Sequence, residues 1–308
     1  MAKIKNPPNQ LVHSEPRLLG PDAIPIGPLA LGTWRMVSTD LRANTLLIET
    51  ALDTGLNLID TADVYGLDHG GVRFGQCEEH LGAVLSATPS LRDRMFLASK
   101  GGIRPPVPYD SSPEYIRQAV EASLARLQTD RIDLWQIHRP DLYTHPADLA
   151  GVLDDLHGEG KIKHVGVSNF TVDQHEALAS YLQQPIVSTQ PQFSVGHLEP
   201  LRDGTFDRAM RDRLVPLAWS PLLGGRLLTG EGLRPELLTT LDGLAQREQT
   251  DRTAVAIAFV LAHPARPVVL LGTQTPKRLS EAVAALSVSL DRTDVYEIIV
   301  ASEGQPLP

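Results

Sequence analysis

The feature that most restricts this chain is the alternation of short apolar runs with longer stretches of helical period. Eight runs stand out, at 29–31, 57–59, 95–98, 132–137, 164–167, 186–189, 215–218 and 268–271. Their apolar residues fill both parities more than they alternate, as strands buried on both faces of a parallel sheet require. Helical segments fall between them. Ser112 is placed as an N-cap with Pro113 at the first helical position, and Ile116, Ala119, Val120, Leu124 and Leu127 then share one face. Thr171 and Gln174 have capping-box spacing. Leu47, Ile48, Ala51 and Leu52 stripe another helix, with Gly55 where a C′ glycine belongs. Further helices are expected over 78–86, 147–158, 235–247, 252–262, 276–285 and 291–301. Glu78 and Glu79 open theirs, where acids suit the helix dipole.

Strands regularly followed by helices imply parallel β/α units, and eight of them suit a closed barrel. The chain's 308 residues allow one large barrel or two modest domains. The competing open, doubly wound sheet lacks its signature, because no G-x-G-x-x-G follows the first strand. The expected fold is therefore an α/β protein, a single-domain (β/α)8 TIM barrel over residues 21–308. Residues 1–20 form a polar, partly flexible N-terminal extension without the apolar stretch of a secretory signal. The formal net charge of −9 argues against nucleic acid as a partner, and no apolar run is long enough to span a membrane. The single cysteine, Cys77, excludes an intrachain disulfide and fits a cytoplasmic location; it is expected to be a thiol without function. The histidines show no metal-ligand spacing, so no metal is expected.

In a β/α barrel the active site is built at the C-terminal ends of the strands. A polar or ring-bearing residue closes nearly every apolar run at that edge. Asp60 and then Tyr65 follow the second run, Lys100 ends the third and His138 the fourth. Ser168 and Asn169 end the fifth, Gln190 the sixth and Trp219 the seventh. Each residue alone is ordinary, because an Asp after a strand caps a turn, a Lys is solvated and a Trp packs. Their shared placement around one mouth raises the joint reading to a functional site.

The segments LIDTADVYG, FLASK, LARLQTDRIDLWQIHRPD, GKIKHVGVSNF and AWSPLLGGRLLTG resemble the aldo-keto reductase superfamily, in order and in spacing. The resemblance runs from about Gly32 to about Glu281 and implies a catalytic tetrad of Asp60, Tyr65, Lys100 and His138. Carbonyl reduction adds a hydride to carbon and a proton to oxygen. Tyr65 is implied as the proton donor, its pKa lowered by the Lys100 ammonium, which Asp60 keeps charged. His138 is implied to polarise the substrate oxygen.

The resemblance further implies that NADPH or NADP+ is bound, with NAD(H) as the alternative. Gly32, Thr33 and Trp34 stand at the end of the first run among the implied cofactor contacts. Ser168, Asn169 and Gln190 are implied to hold the nicotinamide carboxamide, and Trp219, where many members carry Tyr, to stack on the ring. The stretch Ser220, Pro221, Leu222, Gly224 and Arg226 resembles a loop over the pyrophosphate, its glycine pair letting backbone approach phosphate. Gly272, Thr273, Gln274, Arg278 and Glu281 resemble the adenosine-phosphate site, with Arg278 placed for a 2′-phosphate. Two departures bear on NADP preference: Gly272 replaces a phosphate-binding Lys, and Ala282 replaces an adenine-binding Asn.

The partner is then a small-molecule carbonyl compound, reduced or, in reverse, formed from an alcohol. Trp34, Met36, Arg139 and Trp219 are expected to line its pocket. The chain ends at QPLP without a long C-terminal loop, so an open site for small aldehydes or ketones is expected. Two other classes stay open: a non-catalytic NADP(H)-binding regulatory subunit or redox sensor, and a phosphate-binding barrel isomerase or lyase. Oligomeric state is not legible in the sequence.

Overall fold

The structure is a computed structural model that describes residues 10–307. A short antiparallel hairpin, β1 (Arg17–Leu19) and β2 (Ile24–Ile26), precedes eight parallel strands. These are β3 (Leu29–Gly32), β4 (Leu58–Asp60), β5 (Phe96–Gly101), β6 (Ile132–Ile137), β7 (Ile162–Ser168), β8 (Ile186–Gln190), β9 (Val215–Ala218) and β10 (Val268–Leu271). They close in sequence order, β10 pairing with both β3 and β9, so the fold is a (β/α)8 barrel. Each of the eight expected runs is a barrel strand. Closure leaves the barrel itself without a sheet edge.

The helices are α1 (Leu41–Asp53), α2 (Gln76–Ala87), α3 (Pro113–Leu127), α4 (Pro146–Gly158), α5 (Val172–Ala179), α6 (Thr205–Asp212), α7 (Arg226–Thr229), α8 (Pro235–Arg247), α9 (Arg252–Leu261), α10 (Pro276–Ala282) and α11 (Arg292–Glu303). The expected caps form. Ser112 accepts from Tyr115 N–H, and Thr171 and Gln174 complete a capping box. Gly55, at φ +87°, closes α1: its N–H donates to Leu52 O and that of Leu56 to Ala51 O, the bond pattern of a Schellman motif. Among the described residues no helix is long and apolar enough to cross a membrane.

The structure departs from the sequence reading in four elements. The β1–β2 hairpin, α6 and α7 were not expected. The helix expected over 276–285 ends at Ala282, and residues Val283–Ser287 tighten into a 3-10 turn. The boundary placed at residue 20 falls within the hairpin turn. Residues 10–19 are tied to the barrel, with Leu11 N–H donating to Leu290 O and Val12 and Leu19 buried. Residues 1–9 of the extension expected to be partly flexible lie outside the described residues.

Strand parity divides the core in two. Leu31, Ile59, Leu97, Trp135, Val167 and Leu271 point outward and pack under the helices. Ala30, Leu58, Phe96, Ala98, Leu134, Leu217 and Leu270 fill the interior, and Leu19 and Ile26 of the hairpin plug one end. Side chains alternate along a strand. Asp60 therefore shares the inward parity of Leu58, Lys100 that of Ala98, His138 that of Leu134, and Trp219 that of Leu217.

Candidate active site

The interior parity brings the strand-end residues to one mouth. Lys100 is fully buried, and its Nζ donates to Asp60 Oδ2 at 2.6 Å and to Thr61 O at 2.7 Å. The β4–β5 ladder runs on past Asp60, with Thr61 N–H donating to Ala98 O and Asp63 N–H to Lys100 O, each at 2.9 Å. This extension carries the chain to Tyr65, whose ring centre lies 5.1 Å from Lys100 Nζ. The His138 ring stands edge-on to the Tyr65 ring at 5.8 Å. The four expected catalytic residues thus converge, from β4, its following loop, β5 and the residue after β6.

Their electrostatics follow from burial first. Burial penalises the Lys100 ammonium, but the adjacent Asp60 carboxylate and the Tyr65 phenol more than offset it, and the amine stays above its ordinary pKa. Burial pushes the Tyr65 phenol up, and Lys100 only partly counters this. The expectation that Lys100 sets a lowered tyrosine pKa is corrected: burial outweighs the ammonium, so the phenol is fully protonated at neutral pH. Burial, then Lys100 and Arg139, hold His138 well below the usual histidine range, so its imidazole is neutral. Its Nδ1 is buried without a partner among the described residues.

Gln136 completes the cluster and was not singled out in the sequence. Its Nε2 donates to Asp60 Oδ1 at 3.2 Å, beside that of Gln190 at 3.0 Å, and Gln190 Nε2 also reaches Gln136 Oε1 at 3.3 Å. The signal was present, because Gln136 lies two residues before His138 and shares its inward face. Glu78 stands in the first turn of α2 as expected, and it is also fully buried. It accepts from Ser99 Oγ at 2.5 Å, Ser123 Oγ at 3.1 Å and Arg126 Nε at 2.8 Å, pinning α2 to α3 beneath the Tyr65 loop. Asp63 is buried too. Val64 N–H reaches toward its carboxyl without completing a bond of good geometry, and burial and Glu78 push it well above the usual carboxylate range. Met36, expected in the pocket, is buried in the outer core. Cys77 is buried and its thiol is pushed up to about 12.

The residues expected to hold a cofactor lie along the adjoining rim. Trp219 Nε1 donates to Asn169 Oδ1 at 3.1 Å, and Asn169 Nδ2 donates to Ser168 Oγ at 2.7 Å. Ser168 Oγ donates in turn to Gln190 O at 3.0 Å. These amides and hydroxyls are thus hydrogen-bonded to one another. Arg139 lies 5.8 Å from the Trp219 ring. Asn169, Ser220, Leu223, Gly224 and Gly225 all have positive φ, and a Cβ at either glycine would meet nothing within 4 Å. Pro221 is buried, Leu222 half-buried and Arg226 exposed. Arg35 of the β3 loop donates to Gly224 O at 3.0 Å and ties the two loops. Gly32 ends β3, and Thr33 behind it has a buried hydroxyl without a partner among the described residues. Past β10, Gly272, Arg278 and Glu281 are exposed and Thr273 and Gln274 half-buried. Glu281 pairs with Lys277 at 3.6 Å, whereas Arg278 has no acidic partner among the described residues.

The sequence profile of the Aldo/keto reductase family matches residues 28–302. A 6-dehydroglucose reductase of Novosphingobium aromaticivorans is 45% identical over 95% of this chain and 97% of that protein. A 6-dehydroglucose reductase of Agrobacterium fabrum is 33% identical over 92% of this chain and 97% of that protein. Among solved structures, a glycerol dehydrogenase of Gluconobacter oxydans superposes with a TM-score of 0.81 at 29% identity, covering 96% of this chain and 98% of that one.

Proposed function

The chain belongs to the aldo/keto reductase family, and on that premise we propose that it is an NADP(H)-dependent oxidoreductase that reduces aldehydes or ketones to alcohols. The observation that carries the reading is the buried Asp60–Lys100 pair beneath a protonated Tyr65 and beside a neutral His138. The reduced nicotinamide, when bound, supplies the hydride. Tyr65 gives its proton to the carbonyl oxygen, and the Lys100 ammonium stabilises the phenolate left behind. Asp60, fixed by Gln136 and Gln190, keeps Lys100 charged where burial alone would neutralise it. A neutral His138 has one N–H to donate to the same oxygen as charge develops there.

The residues at the rim suit a dinucleotide. Trp219 offers a flat face at the mouth, and the Ser168–Asn169–Gln190 network offers both donors and acceptors to a carboxamide. The bare backbone at Gly224 and Gly225 lets a pyrophosphate approach, with the loop from Ser220 to Arg226 closing around it. The unpaired Arg278 guanidinium supports NADP(H) over NAD(H). Domain organisation is read as one barrel domain that takes in the β1–β2 hairpin. The two relatives named for 6-dehydroglucose put sugar aldehydes among the substrates to try.

The test is a titration of tryptophan fluorescence with NADPH and NADH, followed by NADPH consumption with a panel of aldehydes and ketones. The proposal expects NADPH to bind more tightly and at least one aldehyde to be turned over. Binding without turnover of any carbonyl would reassign the chain to a cofactor-binding regulatory role.

A further inference from the structure

The rim at the loop after β3, two strands from the one that precedes Trp219, is built differently from the rest of the mouth. Trp34, on the loop after β3, is 37% exposed, and its ring centre lies 6.3 Å from that of Tyr65. Its Nε1 donates to both oxygens of Asp68, at 2.9 and 3.0 Å. The ring also meets His69 edge-on at 4.3 Å. Asp68 and His69 belong to the loop that carries Tyr65, and both are exposed. The proton donor is therefore flanked by an open indole face with a carboxylate at its outer edge.

That carboxylate is under-used. An ionised carboxylate offers about four acceptor sites, and one indole N–H fills little of this capacity. No Lys, Arg or His pairs with Asp68 among the described residues. An exposed acceptor without a cation repels anionic substrates and accepts hydrogen bonds from hydroxyls. An adjacent aromatic face covers the C–H surface of the same molecule.

We propose that Asp68 is the specificity-determining residue of this site, accepting hydrogen bonds from substrate hydroxyls a few bonds from the aldehyde carbon while Trp34 packs against the carbon chain. The site then selects neutral polyhydroxylated aldehydes over unsubstituted aldehydes and over aldehyde acids. This rests on the reading that carbonyls are reduced at Tyr65.

The experiment compares kcat/KM for D-glyceraldehyde, propanal and succinic semialdehyde in the wild type, Asp68→Asn and Asp68→Ala, with NADPH affinity measured in each. Glyceraldehyde and propanal share a carbon count and differ in hydroxyls. The wild type is expected to prefer glyceraldehyde. In Asp68→Ala that preference falls about tenfold or more, mainly through KM, the usual scale for losing a hydrogen bond to a charged group. Asp68→Asn, which keeps an acceptor but no charge, falls between, and both variants gain on succinic semialdehyde. Equal losses on glyceraldehyde and propanal would overturn the proposal, leaving Asp68 as no more than a support for Trp34; so would an unchanged ratio. If the wild type binds NADPH but reduces none of the three or any other aldehyde, the carbonyl-reductase reading itself fails and takes this inference with it.

Discussion

Replacing Lys100 with methionine removes the ammonium at nearly constant volume and leaves Asp60 buried. Breaking one side of a buried ion pair costs about 3–5 kcal/mol, because the surviving charge is left without its counter-ion. Asp60 keeps two donors, Gln136 at 3.2 Å and Gln190 at 3.0 Å, which places the expected loss near the lower end, about 3 kcal/mol. With about 2.1 cal/mol/K of unfolding entropy per residue, a chain of 308 residues converts that loss into a fall in Tm of about 5 °C. The pH dependence has a defined sign. Lys100 has a raised folded pKa, so its contribution is fully present below the ordinary lysine value of about 10.5 and is lost as pH rises through the folded value. In the variant, Asp60 is a buried carboxylate without a cation. The difference from wild type should therefore hold wherever Lys100 stays charged and narrow only as pH rises through the folded lysine value. The assay is thermal and urea unfolding of both proteins without cofactor as a function of pH, with Asp60→Asn/Lys100→Met as the control that removes both charges. A Tm loss under about 1 °C, or a gap that widens in acid, would refute the reasoning.

Three further outcomes are expected. Asp63→Asn should raise stability at neutral pH, since a carboxyl whose folded pKa is raised penalises the folded state above its ordinary value; the gain should vanish below about pH 4, and a loss at neutral pH would show that the carboxylate is needed. Gly82→Ala should destabilise by about 1–3 kcal/mol in urea titrations, because its Cβ would sit 2.0 Å from Arg126 O and only backbone displacement between α2 and α3 relieves that contact. Arg278→Ala should weaken NADPH roughly tenfold or more and leave NADH nearly unchanged by fluorescence titration, with equal effects on both speaking against 2′-phosphate contact.

The barrel was legible because parallel strands buried on both faces and capped helices leave strong local signals. Ser112, Thr171 and Gly55 do in space what their spacing suggests. The β1–β2 hairpin was not legible, since three-residue strands carry no period and Leu19 and Ile26 acquire meaning only as a plug for a closed barrel. Helix α6 hid in TFDRAMRD, where Arg208 and Asp212 pair along a mostly polar surface and only Phe206 and Ala209 bury apolar area. At the site, strand ends pointed to the residues that converge. Gln136 was recoverable from parity alone. The burial of Glu78, Asp63 and Met36 was not, because which side chains a neighbouring helix covers is decided by tertiary packing. The direction of the Tyr65 pKa was missed for the same reason, burial being invisible in a linear motif.

The most direct test of the central claim compares wild type with Tyr65→Phe for NADPH binding and for NADPH consumption with an aldehyde that the wild type reduces. Phenylalanine keeps the ring and removes the proton donor. The account predicts that NADPH affinity survives while turnover falls by about 10²-fold or more, the scale of general acid catalysis. Turnover equal to wild type would contradict it, and the proton would have to come from elsewhere.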